Sequence, residues 1–478
     1  MPLTAKILNS RVAARAQMST DTEVINQVPK ELATDEPRDV LFNVSYGLRT
    51  IELNRPSKLN SLNGSMIRKI FPRLVEWEKS DMANVIVMKG AGEQAFCSGG
   101  DVRALATQNQ EGPEGQRKSA DYFALEYQLD HYIATYKKPY IAFMDGFTMG
   151  GGVGLSVHAP FRIATEKTVF AMPETTIGFF PDVGASFFLP RMAGYVGTYL
   201  ALTSERVNGA NVFYSGIATH YLHSTSLPNL EARLAELRFR DYDPMEDRLA
   251  IIERTIEEFA TGLPPNEPIR LGGKLREAID RCFSKNTIAE IIEALRKEEG
   301  PAKPWAEKTL NILHQRSPTS VHVALRQMRV SHDWSIADTF KREHTIASKF
   351  MKHHDFNEGV IARLKTKEEP KWQPATLEDI PPDVNVAEQF FGTPKLTLVT
   401  DRDFTEYPYQ SFGVPTEMDV KAVVRQNHMT RHEVREYFIQ KKNGRQGIAA
   451  IVGEILARNT VLDIGGKAEW VTGSNAEL

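Results

Sequence analysis

Short apolar segments, separated by glycine-rich loops and amphipathic stretches, recur through the first half of the chain. Val40–Ser45 and Leu48–Leu53 flank Tyr46-Gly47, a pair typical of a hairpin turn between strands. The runs ANVIVMKG and KPYIAFMDG are almost continuously apolar and predict buried strands. FRIATEKTVFAMPE predicts two further short strands. Because these strands alternate with loops and helical stretches, the pattern predicts an α/β core.

Helical periodicity separates the predicted strands. NGSMIRKIFPRLVEWEKS carries an apolar residue at every third or fourth position, which predicts an amphipathic helix. The loop AGEQAFCSGGD opens into a helix at Asp101, and MGGGVGLSVHAP predicts a glycine-rich turn into another helix. Residues 107–120 are polar and contain glycine, so they predict a mobile surface loop ahead of a helix in SADYFALEYQLDHYIATY.

The second half of the chain has a different pattern. From about residue 230 to 365 the periodicity is mainly helical, and from about 366 the sequence becomes proline-rich and charged, as a linker would. Between Lys421 and Arg445, seven lysines and arginines stand against two glutamates. The favoured interpretation of this segment is a solvated basic helix face, and a binding surface is the alternative.

Composition limits the class of protein. The 478 residues are 41% hydrophobic and 25% charged, which predicts a packed globular core. The net charge of −3 gives no overall reason to expect nucleic acid or an anionic membrane as a partner. Cys97 and Cys282 cannot form a disulfide framework or a cysteine metal site, and they indicate a reducing compartment. No apolar run is long enough to predict a transmembrane helix.

The first twenty residues, MPLTAKILNSRVAARAQMST, contain three basic residues and no acidic one. Their apolar runs are too short for a secretory signal. A basic, hydroxyl-containing, acid-poor and amphipathic segment is typical of an organelle transit peptide. The alternative is a disordered basic N-terminus.

Two glycine-rich loops each precede a predicted helix: SGGD at 98–101 and MGGG at 149–152. Glycine lets a ligand approach the backbone closely, and N–H groups at such a turn lack helical partners. If the loops converge, they would form a two-donor oxyanion hole for chemistry at a carbonyl. Neither loop fits a dinucleotide fingerprint or a phosphate-binding loop, and each alone is more typical of a tight turn.

Two carboxylates, Glu174 and Asp182, stand in the otherwise apolar stretch MPETTIGFFPDVG. Ionised carboxylates are costly to bury unless they are paired or hydrogen-bonded. Their presence therefore indicates either a functional role or a structural one, in which Glu174 caps or pairs and Asp182 fills a turn.

These motifs together resemble a known family. AFCSGGDVRAL, KPYIAFMDGFTMGGGVGLSVHAPFRIATEKTVFAMPETTIGFFPDVGASFFLPR and HDFNEGV are similar, in this order, to the crotonase superfamily (enoyl-CoA hydratases and isomerases). Within it they resemble the 3-hydroxyisobutyryl-CoA hydrolase branch. The resemblance runs from about residue 38 to about residue 375.

The resemblance implies an α/β fold in which repeated ββα units wind into a spiral. It implies a spiral core over 38–230 and a helical C-terminal region of that fold over 231–375. Residues 1–37 are then the transit peptide and linker, and 376–478 are a linker and a basic helical extension.

The resemblance also implies the site. The backbone N–H groups of Gly100 and Gly151 would be the oxyanion-hole donors, and Glu174 and Asp182 would be the catalytic acid and base. Glu126, Gly151, Glu174 and Asp182 would contact the substrate. The segment NRPSKLNSLN would lie along the adenosine part of CoA. No metal or separate cofactor is implied, because CoA is part of the substrate.

The implied activity is hydrolysis of the thioester of 3-hydroxyisobutyryl-CoA, and of 3-hydroxypropionyl-CoA as a second substrate, in valine breakdown in the mitochondrial matrix. Hydratases of the superfamily use two glutamates, and this chain has Gly154 in place of the second. Hydration is therefore disfavoured, while isomerisation with Glu174 as base stays open. Glu174 as nucleophile and Glu174 as general base for water are both open.

A structural role is the alternative. Fungal-type relatives with a C-terminal extension are similar to components of the mitochondrial small ribosomal subunit. The basic segment of the extension would suit contact with ribosomal RNA, which is salt-sensitive and not sequence-specific in itself. The resemblance implies no DNA partner and no membrane span, and the two roles can coexist.

Other polar and aromatic residues receive simpler interpretations. His131, His158 and His354 lack a partner pattern and predict surface or core polar roles. Cys97 adjoins the first glycine-rich loop, but no histidine motif pairs with it, so an inert buried thiol is predicted. The two phenylalanines at 179–180 predict a wall of the acyl pocket.

Overall fold

Among the residues that the computed structural model describes, 28–240, 242–381 and 383–471, twelve strands form three sheets. The strands are β1 (Val40–Ser45), β2 (Leu48–Leu53), β3 (Val85–Gly90), β4 (Ala95–Cys97), β5 (Tyr140–Met144), β6 (Phe147–Met149), β7 (Phe161–Ala164), β8 (Val169–Ala171), β9 (Val207–Asn208), β10 (His220–Tyr221), β11 (Thr460–Leu462) and β12 (Ala468–Trp470).

The largest sheet has six strands in the order β1-β2-β3-β5-β7-β10. β1 and β2 pair antiparallel across the predicted Tyr46-Gly47 turn, and the other neighbours pair in parallel. β3 and β5 lie in the middle, where almost all of their side chains are buried. Burial on both faces explains why these two sequences are continuously apolar rather than alternating.

A second sheet has the order β4-β6-β8-β9, and β4, β6 and β8 are parallel. Consecutive strands alternate between the two sheets, so that β3 and β4, β5 and β6, and β7 and β8 form successive ββ pairs. A helical segment follows each pair. Since β4, β6 and β8 are neighbours running in the same direction, the loops that leave their carboxyl ends meet at one edge.

Helices cover the sheets and form most of the chain after residue 226. They are α1 (Gly64–Lys79), α2 (Val102–Asn109), α3 (Pro113–Ala134), α4 (Gly151–Val157), α5 (Ala185–Phe188), α6 (Val196–Thr203), α7 (Ala210–Tyr214), α8 (Leu227–Ala235), α9 (Met245–Glu257), α10 (Gly273–Phe283), α11 (Ile288–Arg296), α12 (Lys303–His314), α13 (Pro318–Val330), α14 (Ile336–Phe350), α15 (His354–Val360), α16 (Glu417–Asn427), α17 (Arg431–Lys441) and α18 (Ile448–Asn459).

The C-terminal extension packs onto the rest of the chain. Val420, Phe438, Ile448 and Val452, from its three helices, are buried in the same hydrophobic cluster as residues of the strands and of α10. The β11–β12 hairpin closes the extension, and the Ala468 N–H donates a hydrogen bond to the Met429 carbonyl. The extension is therefore folded against the body.

Two predictions about surface segments are wrong. Residues 107–120 are not one loop, because α2 continues to Asn109 and α3 begins at Pro113, a residue that suits the first turn of a helix. The basic residues from 421 to 445 do not form one solvated face. Lys421 and Arg445 are buried, and Lys442 donates to the carbonyls of residues 411 and 413, so part of this charge is used inside the fold.

Two other predictions concern the chain ends and membranes. The predicted transit peptide lies outside the described residues. Within the described part of the chain, no helix combines the length and the apolar character that crossing a membrane requires.

Candidate functional site

The loop after β4 is held in place by Leu62. The Leu62 N–H donates to the Gly99 carbonyl at 2.8 Å, and the Asp101 N–H donates to the Leu62 carbonyl at 2.8 Å. Gly99 has a φ of 110°, which side chains disfavour, so a glycine is required at this turn. These contacts fix the direction of the intervening Gly100 N–H group.

The loop after β6 comes directly against this first loop. A Cβ atom built on Gly151 would lie 3.3 Å from the Gly100 nitrogen, and one on Gly150 would lie 3.4 Å from the Gly99 Cα. Among the described residues, the structure gives neither the Gly100 nor the Gly151 N–H a hydrogen-bond partner. The strand order therefore brings together two backbone donors, an arrangement that suits binding of a negatively charged oxygen.

Two glutamates lie beside these donors. Glu174 begins a short 3₁₀ turn after β8, and its Oε1 would be 3.1 Å from a Cβ on Gly150. Glu126, on α3, touches the same place, because a Cβ on Gly151 would overlap its Oε1. Both side chains are buried, and Glu126 Oε1 and Glu174 Oε2 have no hydrogen-bond partner within the described residues.

Asp182 is tethered to α3. The Tyr127 hydroxyl donates a hydrogen bond to Asp182 Oδ2 at 2.6 Å, and both residues are buried. Tyr127 follows Glu126 in the helix, so one turn of α3 reaches both acids. Val183, the next residue of the loop, has a φ of 55°, which is strained for a β-branched residue.

Burial sets the electrostatics of these acids. It raises the pKa of Glu174 well above its usual range, and the nearby charge of Asp182 adds to the effect. Burial also raises the pKa of Asp182 to about 7, although the hydrogen bond from Tyr127 opposes the rise. The pKa of Glu126 is raised by burial and by Asp182. Protonated acids are therefore available here near neutral pH.

A further acid, Asp130, occupies the space beside Gly154. It lies one helical turn after Glu126 on α3, is fully buried, and has no hydrogen-bond partner for either oxygen within the described chain. A Cβ on Gly154 would be 2.6 Å from Asp130 Oδ2 and 2.7 Å from the Val183 Cβ. Burial and the charges of Glu126 and Asp182 raise the pKa of Asp130.

Aromatic side chains pack on the segment between Glu174 and Asp182. Phe179 is buried and stacks on Phe123 of α3 with ring centroids 5.1 Å apart, and Phe180 stacks on Phe350 of α14 at 5.6 Å.

Cys97 is fully buried, and burial raises the pKa of its thiol to about 12, which fits the predicted inert role.

The structure brings together Gly100, Gly151, Glu126 and Glu174 at the ends of β4, β6 and β8 and on α3, and Tyr127 links Asp182 to them. Sequence reasoning did not identify Tyr127 or Asp130. The signal for Asp130 was its spacing from Glu126, because acids four residues apart lie on one helix face. No local pattern indicated Tyr127.

Glu343 was also not identified. Its carboxylate accepts the N–H groups of Gly184 at 2.7 Å and Ser186 at 2.8 Å, so it holds the backbone that follows Asp182. Burial raises the pKa of Glu343 to about 8. It lies 159 residues from Gly184 in the chain, and no local pattern indicates the contact.

Comparisons with known proteins give consistent matches. A family model described as Enoyl-CoA hydratase/isomerase matches residues 48–391. Small ribosomal subunit protein mS47 of Neurospora crassa is 58% identical over 473 residues, covering 96% of this chain and 92% of the relative. The mitochondrial 3-hydroxyisobutyryl-CoA hydrolase of Gallus gallus is 45% identical over 348 residues, covering 73% of this chain and 87% of the relative.

Among solved structures, a carnitinyl-CoA dehydratase from Mycobacterium thermoresistibile has a TM-score of 0.65 and 34% sequence identity. The match covers 75% of this chain and 98% of that chain. This likeness confirms the predicted α/β fold. The name of the Gallus gallus relative includes its location, which agrees with the predicted location in the mitochondrion.

Proposed function

The chain belongs to the enoyl-CoA hydratase/isomerase family, and we propose that within it the protein hydrolyses 3-hydroxyisobutyryl-CoA to 3-hydroxyisobutyrate and free CoA. The resemblance of its motifs to the hydrolase branch and its 45% identity to a relative named for this reaction support the proposal. 3-Hydroxypropionyl-CoA, which lacks one methyl group, is the second substrate to test.

The environment of Gly154 carries the proposal. The hydratase branch would have its second glutamate at this position, but Asp130 Oδ2 and the Val183 Cβ already fill the space that a side chain would enter. Glu126 and Glu174 lie beside the two backbone donors, and Tyr127 tethers Asp182 nearby. The pair to which we assign the chemistry is Glu174 and Asp182. This pair suits attack on a thioester better than addition of water across a double bond.

In the proposed reaction the thioester oxygen accepts hydrogen bonds from the Gly100 and Gly151 N–H groups, which stabilise the charge that develops on attack. Either Glu174 attacks the carbonyl carbon and water then cleaves the mixed anhydride, or Glu174 takes a proton from an attacking water. In both routes the C–S bond breaks, CoA leaves as thiolate and gains a proton, and one water oxygen ends in the hydroxy acid.

Asp182 suits proton exchange with the substrate. Because its pKa is raised to about 7, it can bind or release a proton near neutral pH. Tyr127 fixes the position of Oδ2 and leaves Oδ1 available for the 3-hydroxyl group or the departing sulfur. The two acids thereby take different roles although they share one apolar pocket.

The test is release of CoA from 3-hydroxyisobutyryl-CoA by the purified full-length protein. We expect the wild type to turn over and Glu174→Gln and Asp182→Asn each to lower kcat by about 10²-fold or more. Glu93→Gln, which changes an exposed glutamate, is the matched control and keeps wild-type turnover.

Full activity of Glu174→Gln, or no turnover of either hydroxyacyl-CoA by the wild type, would refute the proposal. Assaying the same protein for addition of water to crotonyl-CoA and for double-bond migration tests the hydratase and isomerase alternatives. Faster turnover in either assay than in CoA release would favour that alternative.

Assembly with the small ribosomal subunit is a second candidate function. This candidate is favoured by the length of the match to the mS47 relative of Neurospora crassa, which covers 96% of this chain. The match therefore includes most of the extension of residues 376–478. The family model ends at residue 391. Arg435 and Lys441 on α17 are exposed and suit contact with phosphate groups.

Co-sedimentation with small subunits of the mitochondrial ribosome, at low and at moderate salt, tests this candidate. We expect the double variant Arg435→Gln, Lys441→Gln to weaken association more than Lys118→Gln, Lys303→Gln, which removes two exposed charges outside the extension. A wild type that never migrates with the subunit excludes the role.

A further inference from the structure

The loop that carries Asp182, residues 181–186, is held at its most strained point by a histidine. The Nε2 of His158 lies 3.0 Å from the carbonyl oxygen of Val183, whose φ is 55°. A strained residue persists only when its surroundings hold it in place. His158 approaches so closely that a Cβ on Gly184 would overlap its Nε2.

The tautomer of His158 is determined by its partners. The imidazole is buried, and burial lowers the pKa of His158 to about 4, so the ring is neutral and has one N–H. A carbonyl oxygen can only accept, so Nε2 carries the proton and donates to Val183. Nδ1 must then accept, and its partner is the Tyr407 hydroxyl at 2.8 Å.

Tyr407 belongs to the C-terminal extension and lies beyond the family match, which ends at residue 391. Its ring packs edge-on against Phe187 of α5, with centroids 5.0 Å apart. The segment of residues 403–407, which we call the strap, therefore contacts both His158 and the helix that follows the Asp182 loop.

The strap also contacts the helix that carries Glu343. The Phe404 carbonyl accepts the Ile336 N–H at 2.9 Å, and Asp403 Oδ1 accepts the Ala337 N–H at 2.9 Å, so the strap caps the first turn of α14. Glu343, two turns further along α14, holds the N–H groups of Gly184 and Ser186. Two of the hydrogen-bonded supports of the loop backbone, His158 and Glu343, thus lead back to the strap. A third support, Gln327 of α13, donates to the Pro181 carbonyl at 2.6 Å and does not contact the strap through these bonds.

We propose that the C-terminal extension positions Asp182: the Tyr407 hydroxyl fixes His158 in the tautomer and orientation that hold the Val183 carbonyl. Tyr407 and His158 are positioning residues, since neither is placed against the substrate. The extension then has a role in the chemistry of the site whether or not it also binds a ribosome. The effect on turnover rests on the proposed hydrolase function, whereas the effect on the loop does not.

The test compares Tyr407→Phe with Tyr409→Phe in the full-length chain. Tyr407→Phe removes the hydroxyl and keeps the ring on Phe187. Tyr409 is half-buried six residues after Asp403, and its hydroxyl has no hydrogen-bond partner in the described part of the chain, which makes it the matched control.

The first readout is hydrogen–deuterium exchange of the peptide that spans residues 178–189. Loss of one such hydrogen bond corresponds to about a two- to tenfold change in a local opening equilibrium. We expect Tyr407→Phe to speed exchange in this peptide by that factor, and Tyr409→Phe to leave it unchanged. The second readout is kinetic: Tyr407→Phe lowers kcat by a similar factor while KM changes less than twofold.

A double-mutant cycle tests whether Tyr407 acts on the Asp182 loop through His158. His158→Gln keeps an N–H donor but has no tautomer for Tyr407 to select, so Tyr407→Phe adds less than a twofold further change in exchange in that background. An undiminished effect of Tyr407→Phe in the His158→Gln chain would overturn the proposed route through His158.

The experiments distinguish failure of the hydrolase proposal from failure of the positioning proposal. If the wild type releases no CoA, the hydrolase function fails, and the exchange comparison still decides the role of Tyr407. If the wild type is active and Tyr407→Phe matches Tyr409→Phe in both exchange and kcat, the positioning role is refuted while the hydrolase function stands.

Discussion

At the scale of single residues, the site holds four acids that have very little contact with solvent. Glu126, Asp130, Glu174 and Asp182 are all buried, and the first cause of each raised pKa is burial rather than a neighbour's charge. A carboxyl whose pKa is higher in the folded chain than in the unfolded chain is protonated more readily when folded. Ionising it therefore costs stability as the pH rises through that interval.

Asp182→Asn should consequently stabilise the protein at alkaline pH. The folded pKa of Asp182 is about 7 against an ordinary value of 3.8, so its ionisation opposes folding by up to about 4 kcal/mol above pH 7. Below pH 4 the aspartic acid is protonated in both states, and the cost disappears. We expect the variant to unfold at a higher urea concentration than the wild type at pH 8, with the difference vanishing towards pH 4.

Asp81→Asn is the control, because Asp81 is exposed in the turn after α1. Its urea midpoint should follow that of the wild type at both pH values. An Asp182→Asn chain less stable than the wild type at pH 8 would mean that the hydrogen bond from Tyr127 outweighs the cost of burial. Stability gained with activity lost is the result expected for a functional acid.

At the scale of elements, the site depends on how closely α4 approaches its neighbours. A side chain on Gly152 would overlap the Cys97 carbonyl, and one on Gly154 would meet Asp130 of α3 and Val183. The glycines that follow β6 therefore do more than allow a turn. They let the helix pack directly against the strand and the helix that carry the other parts of the site.

Gly154→Ala should destabilise the protein by about 1–3 kcal/mol, because the added methyl group overpacks a buried contact. Asp130→Ala in the same chain removes the colliding oxygen and should recover part of the loss. Gly453→Ala, in the middle of α18, is the matched control: nothing lies within 4 Å of its Cβ, so helix propensity alone should make it neutral or stabilising. Equal unfolding midpoints for the two alanine variants would contradict the packing argument.

The sequence patterns predicted the helices and strands more accurately than they predicted the contacts between them. The hairpin at Tyr46-Gly47 and the strands β3, β5, β7 and β8 lie where periodicity and turn chemistry predict them. The prediction of a loop over 107–120 was wrong because polar composition there reflects two solvated helix ends. The role of Glu343 could not be predicted from the sequence. It depends on α14 packing beside the loop that contains Gly184, which is 159 residues away in the chain.

At the scale of the whole molecule, buried ion pairs join the extension to the body. Arg276 of α10 lies 3.0 Å from Glu417 of α16, and Glu417 also pairs with Arg458 of α18. Arg445 reaches the other side of the body, where it is buried 3.7 Å from Glu253 of α9. Charge that the sequence indicates as a basic face therefore serves in part to attach the extension.

The substitution Arg445→Met tests whether the positive charge of Arg445 stabilises the fold or binds a partner. Arg445 Nη1 donates to the Phe412 carbonyl at 2.8 Å and Nη2 to the Gly413 carbonyl at 2.7 Å, and Arg445 forms an ion pair with Glu253 at 3.7 Å. Breaking a fully buried ion pair costs about 3–5 kcal/mol, and the cost here is lower because 19% of the Glu253 side chain is exposed. We expect a lower unfolding midpoint and faster proteolysis between residues 404 and 447.

Arg435→Met is the comparison, because it removes the same charge from an exposed position on α17. Its midpoint and proteolysis should match the wild type, and any loss it causes should concern association with a nucleic acid partner. If Arg445→Met left stability unchanged and weakened only such association, the basic segment would be a binding surface after all. If it loosens the extension, the extension acts as part of the folded body, and loosening the strap should also lower turnover at Asp182.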